Sequence, residues 1–285
     1  MSAGSTAAIE AALRSAVAAL GLERPEITPL AGGVANRSFR VRAGERDLVL
    51  KLAGDAVPAL GASAGAAFAM QALAAGAGLA PDVVLADAMH GFIVAARVDG
   101  SVPPAQDFHR PRFIRRVGAW LARLHALEPP AGLPAVDLGE RAAGYLARVL
   151  GAGADPLESG LARRLAAKRA ALPPPARLAA CHHDLHHRNF IDDGRRLVVV
   201  DWEYAGPGDP AADLASCIGY HSLRPQAVDA LLAGYGDAGP DLRARIAALA
   251  WIFDCLWFGW NATAALAGLA VDEAEQARLA ARLAH

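Results

Sequence analysis

Lysine is almost missing from this sequence. Among 28 Lys and Arg side chains in 285 residues, only Lys51 and Lys168 are lysines. A coding bias toward Ala, Gly, Pro and Arg explains the general thinning, so either survivor gains meaning only from its setting. Cysteine is scarce too: Cys181, Cys217 and Cys255 are odd in number, far apart and set in apolar surroundings. That pattern excludes a disulfide framework and fits buried thiols of a reducing compartment. A charge excess is also absent. With 28 basic and 29 acidic side chains the net charge is −1 and the pI about 6.8, so neither nucleic acid nor an anionic membrane is expected as a partner. Apolar stretches are interrupted by charge, Gly or Pro, and the N-terminus shows no basic stretch followed by an apolar one. No membrane span or secretion signal is therefore expected, and the expected location is the cytoplasm. No Gly-x-x-x-x-Gly-Lys-Ser/Thr occurs, and no Gly-x-Gly-x-x-Gly follows a strand, which argues against P-loop and dinucleotide-binding enzymes.

What is present is a globular profile, 54% hydrophobic and 20% charged, with enough apolar surface for a core. Ala7 to Leu20 follows a helical pattern, Pro25 and Pro29 break the chain, and Leu30 to Leu52 alternates like strands. Ser38 to Val41, a turn at Ala43-Gly44-Glu45, and Asp47 to Leu52 predict a hairpin. Ala66 to Ala77 predicts a helix, with strands at Val83 to Ala86 and Phe92 to Val98. After the linker-like Asp99 to Pro104 the pattern turns helical at Pro111 to Leu127, Gly139 to Leu150 and Leu157 to Leu172. One hairpin interrupts it: Asn189 to Ile191, the turn Asp192-Asp193-Gly194, and Leu197 to Val200. Gln226 to Tyr235 and Leu242 to Ala267 are helical again. The expected fold class is α+β, with a small β-rich N-terminal lobe over residues 1–99 and a larger, mainly helical C-terminal lobe over 100–285.

Polar and ionisable groups concentrate in two places. In Cys181-His182-His183-Asp184-Leu185-His186-His187-Arg188-Asn189 and in Asp201-Trp202-Glu203-Tyr204 they stand between apolar runs. Asp201 ends a strand of four apolar residues, and the Asp-Asp-Gly turn folds Asn189 back toward the same end. A carboxylate with an amide oxygen, and Asp184 on a loop five residues earlier, is a hard-ligand set suited to Mg²⁺ shared with phosphate. Zinc is the competing reading, because His182/His186 and His183/His187 have i, i+4 spacing; it leaves Asp184 and Asn189 without a task. The plainest reading makes the histidines solvated loop residues and Asp201 a turn cap. In the N-terminal part, Gly32-Gly33 opens a hairpin where backbone amides can approach phosphate. The period of two in Leu48 to Leu52 puts three leucines on one face and Val49 with Lys51 on the other.

Taken in order, the glycine turn, the strand lysine, His182-x-Asp184-x-x-x-x-Asn189, Asp201-Trp202-Glu203-Tyr204-Ala205-Gly206 and Asp209-Pro210-Ala211-Ala212-Asp213-Leu214-Ala215 carry a likeness. This order resembles the aminoglycoside phosphotransferase and choline kinase superfamily of protein-kinase-like enzymes, over about residues 27 to 265. The Cys-His-x-Asp-Leu and Asp-Trp-Glu-Tyr-Ala-Gly segments are similar to its choline, ethanolamine and thiamine kinase branch. The resemblance implies a bilobal protein-kinase-like fold that uses ATP and Mg²⁺ to phosphorylate a small alcohol. It makes Asp184 the catalytic base and Asn189 and Asp201 the metal ligands. It sets Lys51 against the α and β phosphates, with Asp213 supporting the catalytic loop. The loop from Gly32 to Ser38, including Asn36, would cover the nucleotide. Val49 would pack on adenine, and the hinge from Ala96 to Val98 would bond its edge.

One departure stands out. Family members place a glutamate on the helix after the strand lysine; here Ala67 occupies that position, and no Asp or Glu lies between Asp55 and Asp82. Either another carboxylate reaches Lys51, or nucleotide alone holds it, or the chain is a nucleotide-binding pseudokinase. For the alcohol, Trp251 to Asn261 holds three of five tryptophans. Trp257 and Trp260, three apart, join Trp202, Tyr204, Glu203 and His187 as expected substrate residues. Aromatic walls favour a quaternary ammonium, so choline or ethanolamine comes first, with thiamine or an aminoglycoside as alternatives.

Overall fold

The computed structural model describes residues 3–30, 36–53, 64–153 and 156–284. The chain divides into two compact units, Met1–Ser101 with Ile191–Tyr204, and Val102–Phe190 with Ala205–His285.

The first unit is built on a five-stranded antiparallel sheet in the order β1-β2-β3-β5-β4. Its strands are β1 (Glu26–Leu30), β2 (Asn36–Ala43), β3 (Arg46–Ala53), β4 (Val83–Asp87) and β5 (Phe92–Ala96), flanked by α1 (Ala3–Ala19) and α2 (Ala64–Gly76). The alternation along β3 decides its faces. Leu48, Leu50 and Leu52 are buried with Val41, Phe92 and Val94 against Ala12 and Ala16 of α1. Each such side chain contributes about 1.5–3 kcal/mol of burial. Val49 and Lys51 consequently lie on the opposite face. The expected hairpin forms with Ala43 opposite Arg46 across Gly44-Glu45. Strand structure also begins earlier than the alternation predicts, because β1 includes Pro29, opposite Phe39. An edge strand tolerates a residue without an N–H. The segment from Ile191 to Tyr204 holds to this unit through reciprocal backbone bonds between Ser101 and Asp192 (3.1 and 2.9 Å) and through the Val199 N–H donating to Leu79 O at 2.9 Å. Its ladder pairs β7 (Phe190–Asp192) with β8 (Leu197–Val199).

The second unit is helical: α3 (Pro111–His125), α4 (Leu138–Gly151), α5 (Pro156–Ala171), α6 (Pro210–His221), α7 (Pro225–Tyr235), α8 (Pro240–Leu266) and α9 (Glu273–Leu283). Proline opens α3, α6, α7 and α8, where its missing N–H is no loss. Asp137, Asp209 and Asp272 cap α4, α6 and α9 through their carboxylates. A short ladder of β6 (Ala179–Cys181) and β9 (Gly206–Gly208) completes it. Helices α3 and α7 cross at two glycines. A Cβ on Gly118 would lie 2.1 Å from Leu231 O, and one on Gly234 2.1 Å from Arg115 O.

The aromatic centre of this unit is Phe108, edge-on to Phe113 and Phe190 and stacked on His221 at 3.7 Å with rings 5° apart. The His221 Nδ1–H donates to Cys217 O at 2.8 Å, so Nε2 is the unprotonated nitrogen. Burial pushes this ring down to about 4, and burial does the same to His183.

Two stability predictions follow from this packing. Gly118→Ala should destabilise by at least about 1–3 kcal/mol, since the obstacle is backbone. Gly144→Ala on α4, with open space at its Cβ, should instead gain up to about 1 kcal/mol; urea unfolding of both variants checks the contrast. For the histidines the folded pKa lies below the ordinary 6.5, so the stability of the neutral ring is complete above pH 6.5 and drains as pH falls toward 4. Between pH 7.5 and 5.0 wild type should lose about 2 kcal/mol more than His221→Phe, and equal losses in urea titrations would refute the assignment.

Candidate active site

In the second unit the loop after β6 is fixed from α6. The carboxylate of Asp213, with no solvent exposure, accepts the backbone N–H of His182 at 2.8 Å and of His183 at 2.7 Å, and the Nε2–H of His125 at 3.2 Å. Burial alone would raise this carboxyl. The His125 bond, the nearby His183 ring and the His182 amide outweigh burial and hold it down to about 2. With His125 Nε2 donating, its Nδ1 accepts from the Tyr235 hydroxyl at 3.0 Å. His183 is held at φ +64°, a region that a side chain such as histidine seldom occupies.

Asp184 follows at once and is 8% exposed. Its Oδ1 accepts the Tyr220 hydroxyl at 2.8 Å and its Oδ2 accepts the Asn189 amide at 2.9 Å. The same amide nitrogen donates to Asp184 O at 2.8 Å, so Asn189 presents its oxygen as the remaining polar atom. His186 Nε2 stands 3.6 Å from Asp184 Oδ2. Sequence reasoning missed Tyr220. It lies seven residues after Asp213, two turns along the same helix face, and that spacing was the available signal. Its ring meets Phe253 and Trp257, each at 4.8 Å between centroids. Trp257 and Trp260 are half-buried on α8, and Arg278 lies over Trp257 at 5.8 Å. Asp254 on the same helix is buried and paired with Arg282 at 2.6 Å; burial raises its carboxyl to about 6 despite the arginine. His187 is half-buried, and burial lowers its pKa.

The zinc spacing does not survive folding. Residues 182–186 form a loop rather than a helix turn, and only His187–Asn189 makes a short 3-10 turn. Among the described residues, one group of three sulfur, imidazole and carboxylate donors converges: His125, Cys181 and Asp213. Two of these are already bonded to each other, and burial pushes the Cys181 thiol well up, away from the thiolate that zinc requires.

In the first unit Lys51 forms an ion pair with Asp201 and lies 4.0 Å from the Glu203 carboxylate. Of the possibilities left open by Ala67, this is the first: other carboxylates reach the lysine. Between the two acids Trp202 is 2% exposed, its indole N–H donating to Val199 O at 2.9 Å. Asp201 has φ +67°, a second strained non-glycine position. Tyr204 is buried. Ser38 is opposite Lys51, and Val49 is opposite Ala95. The Ala96 N–H donates to Asp82 O at 2.8 Å as β5 ends, and Val98 follows half-buried. Gly32 and Gly33 lie outside the described residues, as does the side chain of Asn36, whose backbone opens β2 opposite Ala53.

No helix among the described residues is long and apolar enough to cross a membrane. Comparison with known proteins places these residues in a family. A thiamine kinase of Escherichia coli is 45% identical over 58 residues, 20% of this chain and 21% of that protein; the chain thus aligns with about a fifth of the length of the curated relatives it matches. A choline/ethanolamine kinase family protein from Mesorhizobium loti has a similar structure, with TM-score 0.76, 26% identity, and 97% of this chain and 93% of that one covered. The choline kinase LicA from Streptococcus pneumoniae shares the fold, with TM-score 0.78, 18% identity and 97% of both chains covered. The model of the APH phosphotransferase enzyme family matches residues 26–249, and the chain belongs to that family.

Proposed function

We propose that this protein is a kinase that transfers the terminal phosphoryl group of ATP, with Mg²⁺, to the hydroxyl of a small cationic alcohol, choline or ethanolamine first. The observation that carries the reading is the join between a base and an aromatic wall. Tyr220 donates its hydroxyl to Asp184 while its ring packs on Trp257 and Phe253. A proton acceptor is thereby fixed beside faces that attract a cation, worth about 2 kcal/mol when desolvated. In the proposed reaction the substrate hydroxyl passes its proton to Asp184 as its oxygen attacks the γ-phosphorus and ADP leaves.

The nucleotide-binding part is residues 1–99, and residues 100–285 carry the base and the substrate residues. Lys51 neutralises the α and β phosphates, Gly32 to Ser38 with Asn36 covers them, Val49 packs on adenine, and the Ala96 to Val98 backbone bonds its edge. The donor set suits Mg²⁺, because Asp201 offers a carboxylate and Asn189 an amide oxygen, both hard ligands. Bound there, the ion supplies charge neutralisation at phosphate oxygens. Trp260, Tyr204 and His187 complete the substrate wall. Trp202, buried and bonded through its N–H, pins the acids on either side of it.

Thiamine is the second reading, favoured by the stretch shared with the Escherichia coli thiamine kinase and by a thiazolium cation that the same wall would accept. A polycationic aminoglycoside fits less well: Asp229, Asp254 and Glu275 are already paired with Arg243, Arg282 and Arg278, leaving those acids neutralised. A pseudokinase would bind nucleotide and turn over nothing.

ADP release with choline, ethanolamine, thiamine and aminoglycosides tests the reading, and silence on every alcohol would favour the pseudokinase. Asp184→Asn should reduce turnover by about a thousandfold or more while leaving ADP binding within about twofold. Trp257→Ala should raise the KM for choline by about tenfold or more and disturb ethanolamine less.

A further inference from the structure

The helix that supplies family members with a carboxylate for the strand lysine has none here. α2 reads Ala-Gly-Ala-Ala-Phe-Ala-Met-Gln-Ala-Leu-Ala-Ala-Gly, with Ala67 buried in it. Lys51 is nonetheless held by acids, and both belong to one tripeptide, Asp201-Trp202-Glu203. The tripeptide's geometry explains how. Trp202 turns inward and fastens its N–H to Val199 O, and with the left-handed backbone at Asp201 the two acids flanking Trp202 share the lysine. The two acids are not equivalent. Asp201 is in direct ion-pair contact, whereas Glu203 stands at 4.0 Å, less exposed at 14% against 25%.

We propose that Glu203 is the positioning residue for Lys51, taking over in this chain the part of the helix glutamate that Ala67 cannot play. The proposal rests on the kinase reading above. If Asp201 binds a cation during turnover, its carboxylate is drawn away from Lys51, and a second acid must keep the ammonium aimed. Among the described residues, Glu203 is the second carboxylate within ion-pair distance of Lys51. An ammonium has three donors, enough for one carboxylate and the phosphate oxygens together. Loss of the helix acid then does not mark a dead enzyme; the anchor has moved from α2 to the residues after β8.

The scarcity of lysine makes the test direct. An amine acylates only when unprotonated, so a carboxylate partner slows its labelling. With two lysines in the chain, Lys168 is the internal reference. Pulse acylation of the intact protein at pH 8.5, read by peptide mass spectrometry, should label Lys51 about threefold or more faster in Glu203→Gln than in wild type, with Lys168 unchanged. Unchanged Lys51 labelling overturns the proposal whatever the kinetics. A double-mutant cycle supplies the functional arm. Glu203→Gln should lower kcat/KM for ATP by about tenfold or more in wild type, but by less than about threefold in a Lys51→Met background. An equal factor in both backgrounds means that Glu203 acts independently of Lys51, as a metal ligand would, and also overturns it. If wild type turns over no alcohol, the kinase reading fails, while the labelling still reports whether Glu203 holds Lys51.

Discussion

Asp213 is a carboxylate with no exposure that accepts bonds from two successive backbone amides and a histidine ring. Those amide bonds hold the two peptide planes that flank His182, and the chain leaves the second of them through His183 in the left-handed region at φ +64°. Such a conformation costs on the order of 1–3 kcal/mol and persists where its surroundings over-determine it. The charge-assisted bonds to Asp213 are that determination. They fix the direction in which the chain leaves His183, and the next residue is Asp184. The side-chain clamps from Tyr220 and Asn189 then only have to hold a carboxylate that the backbone has already aimed. The order of dependence runs from a buried charge, to a strained backbone, to an oriented carboxylate at Asp184.

A parallel arrangement serves the first unit. Asp201 is also in the left-handed region, and here too a buried neighbour sets it: Trp202 lies in the interior with its N–H bonded two residues behind Asp201, at Val199 O. A bulky inward side chain between two acids leaves both acids on the outward side, where β3 presents Lys51. The lysine owes its own direction to the three leucines of β3, which take the other face. In both units the direction of a charged side chain is set by a buried neighbour in sequence, His183 before Asp184 and Trp202 after Asp201.

How much of this was legible depends on how local the determining physics is. The face of Lys51 could be read, because a period of two needs only five residues. So could the hairpin around the Asp-Asp-Gly turn, a local signal between apolar runs, although Asn189 falls in a 3-10 turn just before its first strand and the second strand ends at Val199, two residues short of Asp201. Pro29 within β1 was not legible, because whether a proline is tolerated depends on which edge of the sheet is open. The partnership of Glu203 with Lys51 joins residues 152 positions apart; the sequence pointed only to some other carboxylate, and Glu203 itself was expected at the substrate. Tyr220 was missed because a tyrosine inside an apolar helix looks like core until Asp184 is known to face it. Gly118 and Gly234 likewise gave no sign, since each is explained only by the backbone of the other helix.

The two lysines show what compositional drift to arginine leaves behind. Lys168 lies 4.9 Å over the ring of Trp251, and Arg164 lies over the same ring at 5.6 Å. A cation above an aromatic face can be either residue, and at this ring both occur, so Lys168 is explained as a chance survivor. Lys51 is set differently. It emerges from the middle of a sheet, between Ser38 on one neighbouring strand and Ile93 on the other, and its nitrogen meets two carboxylates that stand two residues apart. A compact ammonium with three rotatable donors can satisfy both, whereas a planar guanidinium commits its fork to one direction and needs more room. At Trp251 either cation serves, whereas at Lys51 the shape of the cation matters as well as its charge.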